Sequence, residues 1–370
     1  MDNKKILIVS RSFYPLNSPL SHRTTELAKE FARQGHKVTV LTPKDNEVHE
    51  PFENEHQLTI KDLGKPSWRN PNFGKSKLGG FMSRATMRFL QLSIEYPNIE
   101  WFFKVKNALH TESGYDVLIS IAVPYPVHWG VAKAWNKKQS IAKTWIADCG
   151  DPFMGNTTDS FKKWFYFKWV EKWFMHKADY ITIPVESARD AYYKEVHSKI
   201  HIIPQGFKIE DADFSKYYKP NAVPSFIYAG GFIPGLRDPR PFLDYLCTIN
   251  REFTFYIYTN GRELVQSYVD KLGDKLVVND YIKREDLLRK IASMDFVVNF
   301  DNNTQTAVPS KLIDYAIAAR PVLNIKKELD KENIVRFLDG DYAVKLEMPE
   351  VDNYRIENVC KSFLKLSNAK

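Results

Sequence analysis

Two clusters in the C-terminal half of the sequence carry residue types that could do chemistry together. The first, Gly230-Gly231-Phe232-Ile233-Pro234-Gly235-Leu236-Arg237-Asp238-Pro239-Arg240, directly follows the apolar run 225–229. Small residues let backbone N–H groups approach anionic oxygens closely, and Arg237 and Arg240 could neutralise a diphosphate. The second lies in residues 299–325, where an apolar run ends in polar residues and Pro309-Ser310 opens a helical pattern over 311–319. A helix start offers unpaired N–H groups and the positive end of the dipole, which suits an anion, and Lys311 adds a cation. Asp314, one turn on, could accept hydrogen bonds from sugar hydroxyls. Each cluster also has an ordinary reading: a glycine turn, or a helix capped by Ser310 with Asp314 on a solvated face.

The N-terminal half offers acid–base candidates. His128 follows Tyr125-Pro126 at a predicted helix start, and Asp151 follows a predicted strand end. Both positions could present a proton acceptor to a ligand, although a lone helix-start histidine is more often structural and Asp-Pro is a common turn pair. His22 and Arg23, in the loop after the first predicted strand, are candidate contacts to a second substrate. The pair Asp211 and Asp213 lacks converging ligands, so no metal is assigned.

These residues need elements to position them, and the sequence alternates strand and helix signals throughout. Short apolar runs at 5–10, 36–41, 115–121, 142–147, 179–183 and 201–203 read as buried parallel strands. Helical patterns cover 21–34, 84–109 and 161–177. Pro204-Gln205-Gly206 ends this series, and poorly periodic residues to about 223 read as a linker. Alternation restarts with strands at 225–229, 253–258, 276–278, 296–300 and 321–325, and with helices at 263–271, 284–292 and 311–319. The fold class is α/β. The expected architecture is two Rossmann-like domains facing across a cleft, 1–205 and 206–350, with residues 351–370 forming a helix that returns to the first domain.

Composition narrows the classes. Three cysteines without a CxxC argue against a disulfide scaffold or a thiolate metal site and for a reducing compartment. No stretch approaches the length of a membrane span, so a cytoplasmic protein is expected. The whole net charge of +8 falls in residues 1–205, which hold 29 Lys and Arg against 21 Asp and Glu. Within 63–94 six basic residues, with Trp68, Phe73, Phe81, Met82, Met87 and Phe89 between them, meet no acidic one. Such a segment suits an anionic membrane surface, peripheral on the inner face of the plasma membrane, or else is a solvated loop and surface helix. No recognised motif accompanies the charge, so nucleic acid is not an expected partner.

Several blocks together resemble a known family. KKILIVSRSFYP running on through ELAKEFARQGHKVTVLTP, YDVLISIAVPYPVH, ADYITIPVESARD with HIIPQGF, FIYAGGF before GLRDPRPFL, and VPSKLIDYAIAARPVL occur in order across residues 4–325. They resemble the large retaining GT-B glycosyltransferase family that includes sucrose- and mannosyl-type transferases. The resemblance implies donor-binding roles for Gly230, Gly231 and Arg237 at a diphosphate and for Tyr281 and Ile282 around the base. It further implies that Ser310, Lys311 and Leu312 hold phosphate and that Asp314 holds the ribose. His22 and Arg23 become acceptor-binding candidates, and His128 and Asp151 catalytic ones. It implies no cofactor and no metal, because protein cations and helix ends stabilise the leaving diphosphate.

What the resemblance implies is transfer of a hexose-type sugar, with retention, from a nucleotide diphosphate sugar, UDP-linked by preference. The acceptor would be a glycan, or a lipid-linked glycan, in bacterial-type surface polysaccharide synthesis. The sequence also departs from the family. Thr306 stands where the family has a glutamate contacting the sugar, and Gly231 where it has an arginine, which shifts the burden to Arg237 or Arg240. The usual glycine-rich loop after the first strand reads Leu16-Asn17-Ser18-Pro19-Leu20-Ser21-His22-Arg23 here. Two alternatives therefore stay open: a nucleotide-sugar-binding scaffold subunit without catalysis, and a GT-B UDP-sugar epimerase.

Overall fold

The computed structural model describes residues 3–74, 76–136, 141–156, 162–209, 214–301 and 310–368. The chain divides into two compact units, Met1–Ile209 with Tyr354–Lys370, and Glu210–Asn353.

In the first unit the apolar run Lys5–Val9 forms strand β1, followed by helix α1 (Pro19–Arg33) and β2 (Lys37–Thr42). Next come α2 (Asn46–His56), β3 (Thr59–Asp62), α3 (Lys77–Ile94), α4 (Glu100–Leu109) and β4 (Tyr115–Ala122). The series continues through α5 (Pro126–Ala134), β5 (Ala142–Cys149), α6 (Phe167–Lys177), β6 (Tyr180–Ile183) and β7 (Ile200–Ile202). The strands make one parallel seven-stranded sheet in the order β3-β2-β1-β4-β5-β6-β7. β1 is apolar from Ile6 to Val9 because both of its faces are covered there: Ile6 and Ile8 pack into one core with Leu27 and Phe31 of α1, Leu7 and Val9 into the other.

The second unit repeats the plan with β8 (Ser225–Ala229), α7 (Arg240–Leu246), β9 (Thr254–Tyr258), α8 (Gln266–Leu272) and β10 (Leu276–Asn279). It ends with α9 (Arg284–Ala292), β11 (Phe296–Phe300), α10 (Ser310–Ile317), β12 (Val322–Ile325) and α11 (Lys331–Leu338). Its parallel sheet runs β10-β9-β8-β11-β12, so the strand order reverses between β8 and β11. The loop after β8 lies at this switch point, where α/β sheets bind ligands. The chain then returns to the first unit as α12 (Ile356–Asn368), whose Ile356, Val359, Cys360 and Phe363 join the core under α1.

The helix expected over 84–109 is two helices. α3 stops at Ile94, Glu95 turns into the left-handed region at φ 58°, and α4 starts at Glu100. Pro97 sits in the break, where a residue without an N–H interrupts the helical ladder. The helix expected over 161–177 begins at Phe167 among the described residues. α2 and β3 leave little apolar period to read, since α2 buries only His49 and Phe52 and β3 only Ile60.

Candidate functional site

β8 delivers the glycine loop. Gly230 has φ +148°, a conformation that L side chains rarely adopt, and a Cβ there would lie 3.1 Å from the Tyr228 hydroxyl. That hydroxyl donates to the Gly231 carbonyl at 2.9 Å, and the Tyr228 ring stacks on Phe232. The loop is thus braced from inside the core. From α10, Tyr315 braces the same corner: its hydroxyl accepts from the Ala229 N–H and donates to the Ala229 carbonyl, both at 3.3 Å.

Lys311 lies one helical turn before Tyr315 on the same face of α10. Its ammonium is 4.8 Å from the Tyr228 ring centroid and makes no hydrogen bond among the described residues. The buried Arg237 Nε likewise has no partner among them. Burial, together with the positive charge of Arg237 and against the opposing Asp301, lowers the Lys311 pKa to about 7. Two cations with buried donors unsatisfied among the described residues, beside a glycine at positive φ, make an arrangement that suits an anion. Arg240, by contrast, is engaged: it hydrogen-bonds Asp238 through Nε at 2.8 Å and through Nη2, and holds that carboxyl down to about 2. Of the two arginines considered for the phosphate, Arg237 is the one available.

Around these cations the remaining donor-side residues fall unevenly. Tyr281 is exposed, with its hydroxyl 3.9 Å from where a Gly231 Cβ would be, so it reaches the glycine loop. Ile282 is exposed beside it. Leu312 is half-buried against the core cluster that includes Tyr315, so its side chain supports α10. Asp314 is held through Oδ1 by Arg284 Nη2 at 2.6 Å and Nε at 2.9 Å, and burial raises its pKa against that pairing. Ser310 begins α10. Its side chain, Thr306, and the pair Asp211 and Asp213 lie outside the described residues.

In the first unit, a pocket of about 270 Å³ opens past the carboxyl ends of β4 and β5, lined by Val123, Tyr125, Asp151, Phe153, Glu95 and Lys163 among others. Desolvation raises the Asp151 carboxyl, while its backbone carbonyl accepts from the Tyr125 hydroxyl at 2.5 Å. Beneath the pocket, burial pushes Glu171 up to about 7, against the hydrogen bond its Oε2 accepts from the Tyr193 hydroxyl at 2.7 Å and the nearby N–H groups of Met154 and Phe153. The Asp151 loop is therefore fixed from below.

Two sequence expectations are corrected here. His128 is 0 % exposed, stacked on Phe174, with Nδ1 2.8 Å from Ser120 Oγ and Nε2 3.6 Å from Cys149 Sγ. Burial drops its pKa to about 4. A ring sealed in the core cannot meet an acceptor, so His128 is structural. Arg23 is also buried: Nε and Nη2 grip Asp148 at 2.5 and 2.7 Å, and Nη1 and Nη2 donate to the Pro204 and Ile203 carbonyls. With its donors committed it ties α1 to the end of β5 instead of binding a ligand. His22 stays exposed in the first turn of α1, 2.9 Å from Asn17 Oδ1. Tyr228, Tyr315 and Arg284 contact Gly231, Ala229 and Asp314 of this cluster without having been singled out. Tyr315 alone had a readable signal, its spacing of four from Lys311.

Residues 20–211 match the family model described as Glycosyltransferase Family 4. A search of curated proteins finds no match. Among solved structures, the chain resembles the apo form of the lipopolysaccharide outer core galactosyltransferase WaaB at 11 % identity, TM-score 0.61, covering 99 % of both chains. It resembles a glycosyltransferase from Rickettsia africae at 12 % identity, TM-score 0.60, over 100 % of this chain and 99 % of that one. Anabaena Alr3699/HepE in complex with UDP-glucose aligns at 8 % identity and TM-score 0.53 over 100 % of both. At such identities the likeness is one of fold, that of the GT-B glycosyltransferases, and it agrees with two parallel-sheet α/β units. The family match covers more than half of the chain, and on that ground this protein belongs to Glycosyltransferase Family 4.

Proposed function

We propose that the chain transfers a hexose-type sugar from a nucleotide diphosphate sugar, UDP-linked by preference, to a hydroxyl of a glycan acceptor. The observation that carries this reading is the pair of cations beside Gly230 at the switch point of the second sheet: Lys311, whose ammonium has no hydrogen-bond partner among the described residues, and Arg237, whose Nε has none among them. A diphosphate supplies both missing acceptors at once, and the charge that grows on it as the glycosidic bond breaks is stabilised by groups already in position. In this reading Gly231 gives the diphosphate room, Tyr281 and Ile282 border the base, and the α10 start at Ser310 and Lys311 adds its dipole. Asp314, steadied by Arg284, keeps one oxygen for the ribose.

The pocket at Asp151 takes the acceptor. Its raised carboxyl accepts a hydrogen bond from the acceptor hydroxyl and orients it. Transfer with retention follows if that hydroxyl attacks the anomeric carbon from the face the diphosphate leaves. The hydroxyl proton then passes to the departing phosphate oxygen. Lys163 is paired with Glu95, and the exposed Lys162 at the pocket supplies the cation for an acceptor that carries negative charge, as a lipid-linked glycan diphosphate in surface polysaccharide synthesis does.

A thermal-shift panel of nucleotide sugars tests the donor assignment, since a ligand of the native state raises its apparent stability. Anomeric analysis of the product then reads retention. Thr306 in place of the family glutamate keeps one other reading in play, a binding subunit without catalysis. Purified protein that binds the donor but neither transfers nor hydrolyses its sugar would establish that reading. A changed sugar configuration without acceptor would instead mark an epimerase.

A further inference from the structure

α3 turns its apolar side outward. Leu78, Phe81, Met82, Ala85 and Phe89 recur at helical spacing on one face, and all are exposed, Leu78 at 70 % and Phe81 at 62 %. The buried residues of this helix are instead Gly79 and Ser93. By the same spacing Lys77, Arg84 and Arg88 run beside the stripe, and no Asp or Glu occurs from Leu63 to Ile94.

The patch continues onto a second segment far away in sequence. The Phe89 ring meets Trp164 edge-on at 5.5 Å, and ring contacts pass from Trp164 through Tyr166 and Phe165 to Trp169. Phe165 is 73 % and Trp169 62 % exposed, and Lys162 and Lys168 are exposed beside them. An apolar surface this continuous needs a cover. A second copy would bring like charges together around it. A bilayer with anionic headgroups complements every part: the stripe at the acyl boundary, the indoles at headgroup depth, the cations at lipid phosphates.

We infer that the outer face of α3, together with residues 164–169, docks the protein on an anionic lipid bilayer. The face also adjoins the Asp151 pocket, because Glu95, the residue after α3, pairs with Lys163 and both line it. Docking there brings that pocket to the headgroups, a step that rests on the proposed acceptor reading.

The test is flotation with phosphatidylcholine vesicles, with and without phosphatidylglycerol, at low and high salt. Wild type should bind the anionic vesicles at low salt and release as salt screens the cations. Two double variants, Phe81→Ser with Phe89→Ser and Phe165→Ser with Trp169→Ser, should each weaken binding by about tenfold or more. Their circular dichroism and UDP affinity should match wild type. Absence of wild-type binding at low salt, or unchanged binding in both variants, overturns the inference. So does a concentration-dependent dimer abolished by the same variants in a protein that ignores vesicles. UDP affinity is read separately, so failure of the donor assignment is distinguishable from failure of docking.

Discussion

At the residue scale the account turns on Lys311. Burial and Arg237 hold its ammonium near 7, so it loses its proton across the neutral range. A bound diphosphate favours the charged form, so above about pH 7 binding must take up a proton. Affinity for UDP should then fall as pH rises from 7 to 9, by at most about tenfold per unit for one proton. Calorimetry in buffers of different ionisation heats should show proton uptake, and Lys311→Met should abolish it. The opposite kind of residue is His128. Its unfolded imidazole protonates near 6.5 but the folded one only near 4, so stability is complete above 6.5 and is lost as pH falls toward 4. The loss is on the order of 2–3 kcal/mol. His128→Gln should flatten that part of a urea-unfolding pH profile while transfer per folded molecule stays within about threefold of wild type. Arg23→Met should cost about 3–5 kcal/mol by stranding the Asp148 carboxylate, again as stability and not as an acceptor defect. Lys311 and Arg237 were singled out because the blocks around them resemble a family, whereas residue type alone left a capped helix and a glycine turn as readings. Arg23 and His128 misled because residue type does not reveal burial, and the groups that enclose them, Asp148 around Arg23 and Phe174 against His128, are remote in sequence.

At the scale of elements, strands read well wherever both faces were covered, as in β1, β4 and β8, because a continuous apolar run has few alternatives. Helix limits read less well. The pattern from Arg84 to Leu109 was read as one helix across Pro97, but the αL turn at Glu95 and Pro97 itself separate α3 from α4. The outward stripe of α3 was legible as composition but not as orientation, since an amphipathic period does not say which side is covered. α12 rests on a close approach. A Cβ at Gly206 would sit 2.5 Å from Ile356 Cδ1, so Gly206→Val should lift the helix from α1 and cost about 1–3 kcal/mol by overpacking. Urea unfolding measures that cost. An undestabilised variant would mean that α12 is seated by its other contacts alone.

At the scale of the whole molecule, the second unit is an insertion: the chain leaves the first unit near Ile209 and rejoins it at Tyr354. Each unit has its own two-sided core, and the cation pair lies wholly within the second. Residues 210–353 expressed alone should therefore fold and bind UDP within about tenfold of the full chain, as one compact unit with its own core can. Alternating strands and helices made the two-unit plan readable. Strand order and the switch point between β8 and β11 were not readable, because pairing between distant strands leaves no local mark. The most direct test of the central claim is a calorimetric titration of UDP into wild type, Lys311→Met and Arg237→Met at pH 6.5. Each substitution should weaken binding by about 10- to 100-fold, as loss of a charge-assisted hydrogen bond does, with the fold intact. Wild-type affinity in both variants would contradict the assignment of the diphosphate to this pair.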